Sequence, residues 1–185
     1  MIGLPLQTLP TMIKRSLLLL AAAATPAVAQ ANPNMANAAA LFASVSGYIT
    51  QAAADMSDAQ YSFRPTLDVR TFGELIGHIA GSQKMFCAIA LGEKPPAEDA
   101  VEKSATTKAA LVAALKESND YCAKAYKQTD AAAAATVDLF GEKHSRMFTL
   151  LENVTHDNEH YGNIVVYMRA KGHVPPSTAR TQPPK

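Results

Sequence analysis

The chain has 185 residues, 48% of them hydrophobic, and a net charge of +1 from 17 basic and 16 acidic side chains. Both signs are scattered, so there is no electrostatic footprint for nucleic acid or for an anionic membrane surface, and the hydrophobic content excludes a largely disordered chain. The length is that of one domain built on a single continuous core.

Near the start, Lys14 and Arg15 precede an uncharged run, Leu17 to Ala24, which is too short to span a bilayer as a helix. Ala27-Val28-Ala29 then supplies the small-x-small pattern that a signal peptidase pocket admits. Residues 1–29 are therefore expected to be a signal peptide cut before Gln30, with a cut after Ala31 and a start at Met12 as alternatives. An uncleaved alanine-rich leader is the competing reading. No cysteine lies near the cut, so no lipid anchor is expected, and the mature protein should be periplasmic or secreted, with no membrane anchor.

Helix one is predicted from about Met35 to Met56, on the one-face spacing of Leu41, Phe42, Val45, Tyr48, Ile49 and Ala52. Ser57 to Arg70 reads as a connection, because Pro65 pushes Arg64 out of helical geometry. Thr71-Phe-Gly-Glu74 is a capping box that opens helix two, which runs to Leu91, with Gly92 and then Pro95-Pro96 closing it. A polar loop is expected to about Ser104, and helix three from about Thr107 to Gln128. Ala131 to Ala135 is low-complexity and reads as a frayed helical extension or a linker.

Helix four is predicted from about Ser145 to Lys171, with Arg169 and Lys171 at its negative end and Gly172 as its cap. The folded domain is placed at 34–176, and the polar, proline-rich segment 177–185 is expected to be a disordered tail. No strand-like alternation competes, so the fold class is all-α, an antiparallel four-helix bundle.

Cys87 and Cys122 are the only two cysteines, and in an oxidising exported compartment an even count invites a disulfide between them. Cys122 lies in the apolar stripe of helix three and can face helix two, which supports the pairing. Two buried free thiols on neighbouring helices are the alternative.

His156 and His160 lie about 40° apart on helix four, one turn from each other, so both imidazoles can reach one ion. The same stripe holds Thr149, Glu152, Asn153, Asn163 and Tyr167, polar groups on a face that a bundle normally fills with aliphatic side chains. A metal gives that polarity a reason, because neutral imidazole is a common ligand for zinc, nickel and iron. His78, on an inward edge of helix two with Leu75, Ser82, Met85 and Ile89, is the third candidate ligand. Three histidines would leave at least one coordination position open, the pattern of a reactive site. Chance surface or core histidines remain the competing reading on spacing alone, and His144 and His173 read as ordinary exposed residues.

His156-Asp-Asn-Glu159-His160 also spells the inverted zinc-protease motif, but that architecture needs an acidic ligand downstream, and no Asp or Glu occurs between Tyr161 and Lys185. A di-iron bundle is excluded too, since no Glu-x-x-His pair is present. Glu159 is a candidate general base or a group that orients the ligands, with a solvated surface glutamate as the alternative.

Three segments, Tyr61-Ser-Phe-Arg-Pro-Thr66, Phe72-Gly-Glu-Leu-Ile-Gly-His78-Ile and His156-Asp-Asn-Glu-His160 running on to Gly172-His-Val-Pro-Pro176, resemble the DinB-like superfamily of metal-binding bundles. The resemblance covers roughly Ala38 to Ser177. It implies an up-down-down-up helix order and one divalent ion, zinc or nickel, on His78, His156 and His160. Homodimers occur in that family, and one is implied here. Relatives that transfer bacillithiol or mycothiol use the metal to bind a thiol, but such thiols are cytosolic, and this chain departs from that pattern by its expected export.

Besides a structural bundle with no metal, held by the disulfide and its core, against which the polar stripe of helix four argues, two functions follow. One is a metal-dependent enzyme performing thiol transfer or hydrolysis on a small molecule, with Glu159 or Tyr167 assisting. The other is a non-catalytic metal-binding or stress-related module.

Overall fold

A computed structural model describes residues 31–182; the expected signal peptide lies outside them, as do residues 183–185. In chain order the elements are α1 (Pro33–Asp55), a 3-10 turn (Asp58–Ser62), α2 (Phe72–Leu91), α3 (Ala100–Ser104), α4 (Lys108–Ala125), α5 (Asp130–Ala133), β1 (Thr136–Leu139), β2 (Glu142–Ser145), α6 (Arg146–Ala170) and α7 (Pro176–Thr181). The long helices α1, α2, α4 and α6 correspond to the four predicted ones. α2 packs on α4 and α6, and α1 packs on the same two, so α1 and α2 occupy opposite corners of the bundle. None of the described helices is long and apolar enough to cross a membrane.

Local chemistry accounts for the helix ends. At α2, the backbone N–H of Glu74 donates to Thr71 Oγ1 at 3.2 Å and the N–H of Thr71 donates to Glu74 Oε2 at 2.7 Å, so two N–H groups that would otherwise lack a partner are satisfied reciprocally. Gly92 closes the same helix in the left-handed region at φ 77°, where a side chain would be strained. α6 begins on Ser145, whose hydroxyl accepts from Phe148 N, and it ends with His173 N donating to Met168 O beyond the αL Gly172. The aromatic core joins the helices: Phe42 of α1 stacks on Tyr126 at 4.4 Å, and the Tyr126 hydroxyl donates to the Leu150 carbonyl of α6 at 2.8 Å.

Three expectations are corrected. The stretch after the alanine run is not a helical extension: after the single turn of α5 it becomes an antiparallel hairpin pairing Thr136 with Ser145 and Leu139 with Glu142. Phe140 and Gly141 both have positive φ, the primed geometry that matches strand twist, and Asp138 Oδ1 accepts from Gly141 N. The polar loop before Ser104 contains the helix α3. The segment from Ser177 is not a disordered tail through residue 182, because α7 forms there and the Tyr161 hydroxyl anchors it, donating to Ser177 Oγ and accepting from Ser177 N, both at 2.9 Å.

Cys87 of α2 and Cys122 of α4 are joined in a disulfide, with Cα atoms 5.3 Å apart. The bond closes a loop of 35 residues and ties together two helices that also pack extensively. In the chain-entropy view such a loop contributes about 3–4 kcal/mol. Full reduction should lower the denaturant midpoint accordingly, and the C87A/C122A variant should no longer respond to reductant. Urea titrations with and without reductant make the comparison, and an unshifted wild-type midpoint would show that the bond does not support the fold.

Candidate metal centre

α2 and α6 face each other, and the site lies in the seam between them. His78 comes from the middle of α2, while His156 and His160 come from successive turns of α6. The Nε2 atoms form a nearly equilateral triangle: His78 to His156 3.2 Å, His78 to His160 3.1 Å, and His156 to His160 3.1 Å. Three rings cannot satisfy one another in this arrangement. Each Nε2 has one in-plane lobe, holding either a proton or a lone pair, so among three at least two are alike and one edge is repulsive. A cation at their common focus removes the conflict. Metal–nitrogen bonds of about 2.0–2.1 Å in a tetrahedral set separate the nitrogens by about 3.3–3.4 Å, close to the edges seen.

The rings are held in the ligating, neutral form. Burial lowers the pKa of all three histidines. His156 falls furthest, to about 3, by burial first and then by the neighbouring rings of His160 and His78 and the Arg70 guanidinium. For His78 the carboxylates of Glu98, Glu102 and Glu159 oppose the shift. His160 Nδ1 lies 3.4 Å from the Asn163 amide, while the buried Nδ1 atoms of His78 and His156 have no hydrogen-bond partner.

Two carboxylates missed by the sequence reading belong to this neighbourhood. Glu98 Oε1 is 3.8 Å from His78 Nε2 and 3.9 Å from His156 Nε2, and Glu102 Oε2 is 3.7 Å from His78 Nδ1. Arg70 Nε donates to the other oxygen of Glu102 at 3.0 Å. Both acids reach the site because two glycines let the segment 98–102 lie directly on α2. A Cβ at Gly81 would come 1.9 Å from the Glu98 carbonyl oxygen, and one at Gly77 would come 2.9 Å from Glu102 Cα. The i,i+4 pair Gly77 and Gly81, beside a candidate ligand, was the available signal. Asp157 was also missed: it is fully buried and accepts from Gln83 Nε2 at 2.9 Å, and Gln83 Oε1 in turn accepts from Ser118 Oγ of α4 at 2.6 Å.

Of the residues expected to assist, Glu159 is exposed on α6 and makes no hydrogen bond to the histidines, acting on His78 and His160 only through its charge. Tyr167 is buried, and its hydroxyl donates to the Arg70 carbonyl at 2.6 Å, pinning the segment before α2. It lines a cleft of about 480 Å³ together with Arg70, Asn163 and His160, so one edge of the triad opens on a space for a small molecule. His144 stacks on Phe148 and His173 lies 3.0 Å from Gln60 Oε1; neither joins the triad.

Burial pushes the Asp157 carboxyl up to about 8, well above its ordinary 3.8. With the folded value raised, the unfolded chain ionises first, so this residue's contribution to stability falls as pH rises from about 4 and levels off above about 8. Asp157→Asn should therefore gain on the wild type across that window, by a few kcal/mol at pH 8 and little at pH 4. Denaturation midpoints at both pH values test this; a gap independent of pH would refute it.

The model of the DinB superfamily matches residues 41–164. Among solved structures, a DinB-like protein from Bacillus subtilis is 24% identical, with a TM-score of 0.61 over 75% of this chain and 93% of that one. A DinB-like protein from Bacillus cereus is 20% identical, with a TM-score of 0.63 over 71% and 89%. A mycothiol-dependent maleylpyruvate isomerase is 18% identical, with a TM-score of 0.59 over 71% of this chain and 59% of that one. No curated protein matches the sequence.

Proposed function

The chain belongs to the DinB superfamily, and we propose that it is an exported metal-dependent enzyme whose His78, His156 and His160 hold one divalent ion, zinc or nickel. The observation that carries this reading is the convergence of three Nε2 atoms, from buried His78 and His160 and half-buried His156, at 3.1–3.2 Å from one another. When bound, the ion supplies Lewis acidity toward a thiol, water or carbonyl donor of a small substrate. The reactions in view are thiol transfer and hydrolysis.

The protein's own residues then have separable tasks. Burial keeps the three rings neutral, so their lone pairs are free for coordination at physiological pH. Asn163 is placed to orient the His160 ring, and Glu102 to steady His78 while answering the Arg70 charge. Arg70, on the wall of the cleft, is available to an anionic group of a substrate. The up-down-down-up helix order of the family belongs to the same reading. So does a homodimer.

Metal analysis of tag-free protein should find about one equivalent of zinc or nickel, and His78→Ala, His156→Ala and His160→Ala should each lose most of it while remaining helical by circular dichroism. Retention of metal by all three variants would remove the site. Turnover of thiol adducts and esters by the metal-loaded protein, with stripped protein as control, separates an enzyme from a non-catalytic metal-binding module.

Export rests on the pattern from Lys14 to Ala29 and on the Cys87–Cys122 disulfide, which suits an oxidising compartment. The mature protein should be recovered from the periplasm or medium with Gln30 or Asn32 at its N-terminus by intact-mass measurement. A full-length cytosolic product would overturn export without touching the metal site.

A further inference from the structure

We propose that Glu98 is a fourth protein ligand of this centre, so that the substrate-free site is three histidines and one carboxylate. This deepens the metal-site reading above and rests on it. Glu98 Oε1 lies over the His78–His156 edge of the triangle, 3.8 and 3.9 Å from the two Nε2 atoms. Ligand atoms bound to one small cation sit about 3–4 Å apart, so the oxygen is already at ligand-to-ligand range from two of the three nitrogens.

The placement is built rather than incidental. Gly81 allows the Glu98 backbone to touch α2, and one turn along the same helix from His78, the Ser82 hydroxyl shares its one proton between the His78 carbonyl at 2.9 Å and Glu98 Oε1 at 3.0 Å. One residue type without a side chain and one short hydroxyl thus fix both the backbone and the carboxylate of Glu98 against the helix that carries His78. The oxygen that Ser82 holds is the one nearest the nitrogens.

Charge balance points the same way. Three neutral imidazoles leave both charges of a divalent ion uncompensated, and Arg70 adds a further positive charge nearby. Glu102 is committed to Arg70 through a 3.0 Å bond. Glu98 makes no ion pair with a lysine or arginine among the described residues, and the two histidines it faces are neutral, so its charge is left without a counter-charge. Its carboxylate is the one placed to neutralise the ion directly. Its side chain is 41% exposed, against 19% for Glu102, so it can exchange with an incoming donor. A substrate thiol or carbonyl would then enter by displacing a carboxylate held by one serine hydroxyl.

Competition titrations with a chelator and zinc, together with visible spectra of cobalt-loaded protein, test the assignment on the full mature chain. Glu98→Ala and Glu98→Gln should each weaken zinc binding at least 10-fold and change the intensity and position of the cobalt bands, with unchanged circular dichroism and unchanged metal-free thermal midpoint. Ser82→Ala should show a smaller loss in the same direction. A wild-type affinity and cobalt spectrum in both Glu98 variants would overturn the proposal while leaving the three-histidine site standing. Failure of the wild type to bind zinc or cobalt would overturn the parent reading, and with it this one.

Discussion

Three imidazole nitrogens converging on one point, drawn from two helices, form the constraint around which this bundle is organised. Hydrogen bonding within the group cannot satisfy all three edges, and water cannot fit inside a triangle with edges of 3.1–3.2 Å. The arrangement therefore depends on the α2–α6 seam being stiff enough to hold the rings against mutual repulsion. That stiffness comes from outside the site. α6 is anchored to α4 through Tyr126, which donates to the Leu150 carbonyl and accepts from Asn153, and α2 is anchored to α4 by the disulfide.

The face of α2 next to His78 shows how side-chain size directs chemistry. Gly73, Gly77 and Gly81 make a strip without side chains, over which the 3-10 turn, α4 and the α3 segment approach closely. In a soluble helix, glycine costs stability relative to alanine, roughly 1 kcal/mol at each interior position. Here that cost is offset by backbone contact that brings Glu98 and Glu102 to a histidine. A single helix thus supplies a histidine of the triad, a hydroxyl within reach of a carboxylate, and the space through which that carboxylate arrives.

Much of this is legible in the sequence. Caps such as Thr71 with Glu74, and stops such as Gly92 and Gly172, act within one turn, so the four long helices emerged within a few residues of their true ends. The His156 and His160 pair was readable because both lie on one helix with fixed periodicity, and His78 because it shares a stripe with apolar residues. What escaped depends on tertiary approach. Glu98 and Glu102 sit in a segment whose only local message is polarity, and their role appears when Gly77 and Gly81 are seen as contact points. The hairpin escaped because its strands are four residues long and its turn is Phe140-Gly141, without the Asn-Gly signal. The helix after Pro175 escaped because its one firm anchor, Tyr161, lies 16 residues earlier in sequence.

The polar stripe of α6 carries the argument one step further. Asn153 Oδ1, Asp157 Oδ1 and the Nδ1 of His156 are all buried without a hydrogen-bond partner, and so is the Nδ1 of His78 on α2. Each such group costs on the order of 1–3 kcal/mol, and aliphatic residues at the same positions would restore most of it. A bundle shaped only by stability would have filled this seam with leucine and valine, as α6 does with Leu150, Val154 and Ile164 on its adjoining face. Departures from the stable pattern that cluster in one place, while caps and core elsewhere agree with it, mark the place where function sets the residues. The disulfide between α2 and α4, of a size that offsets one or two such groups, joins α2 to α4 and not to α6, which carries most of the cluster. Stability and chemistry are thereby kept on different faces of α2: Cys87 ties one face to α4, while His78 and Ser82 are free to serve the other.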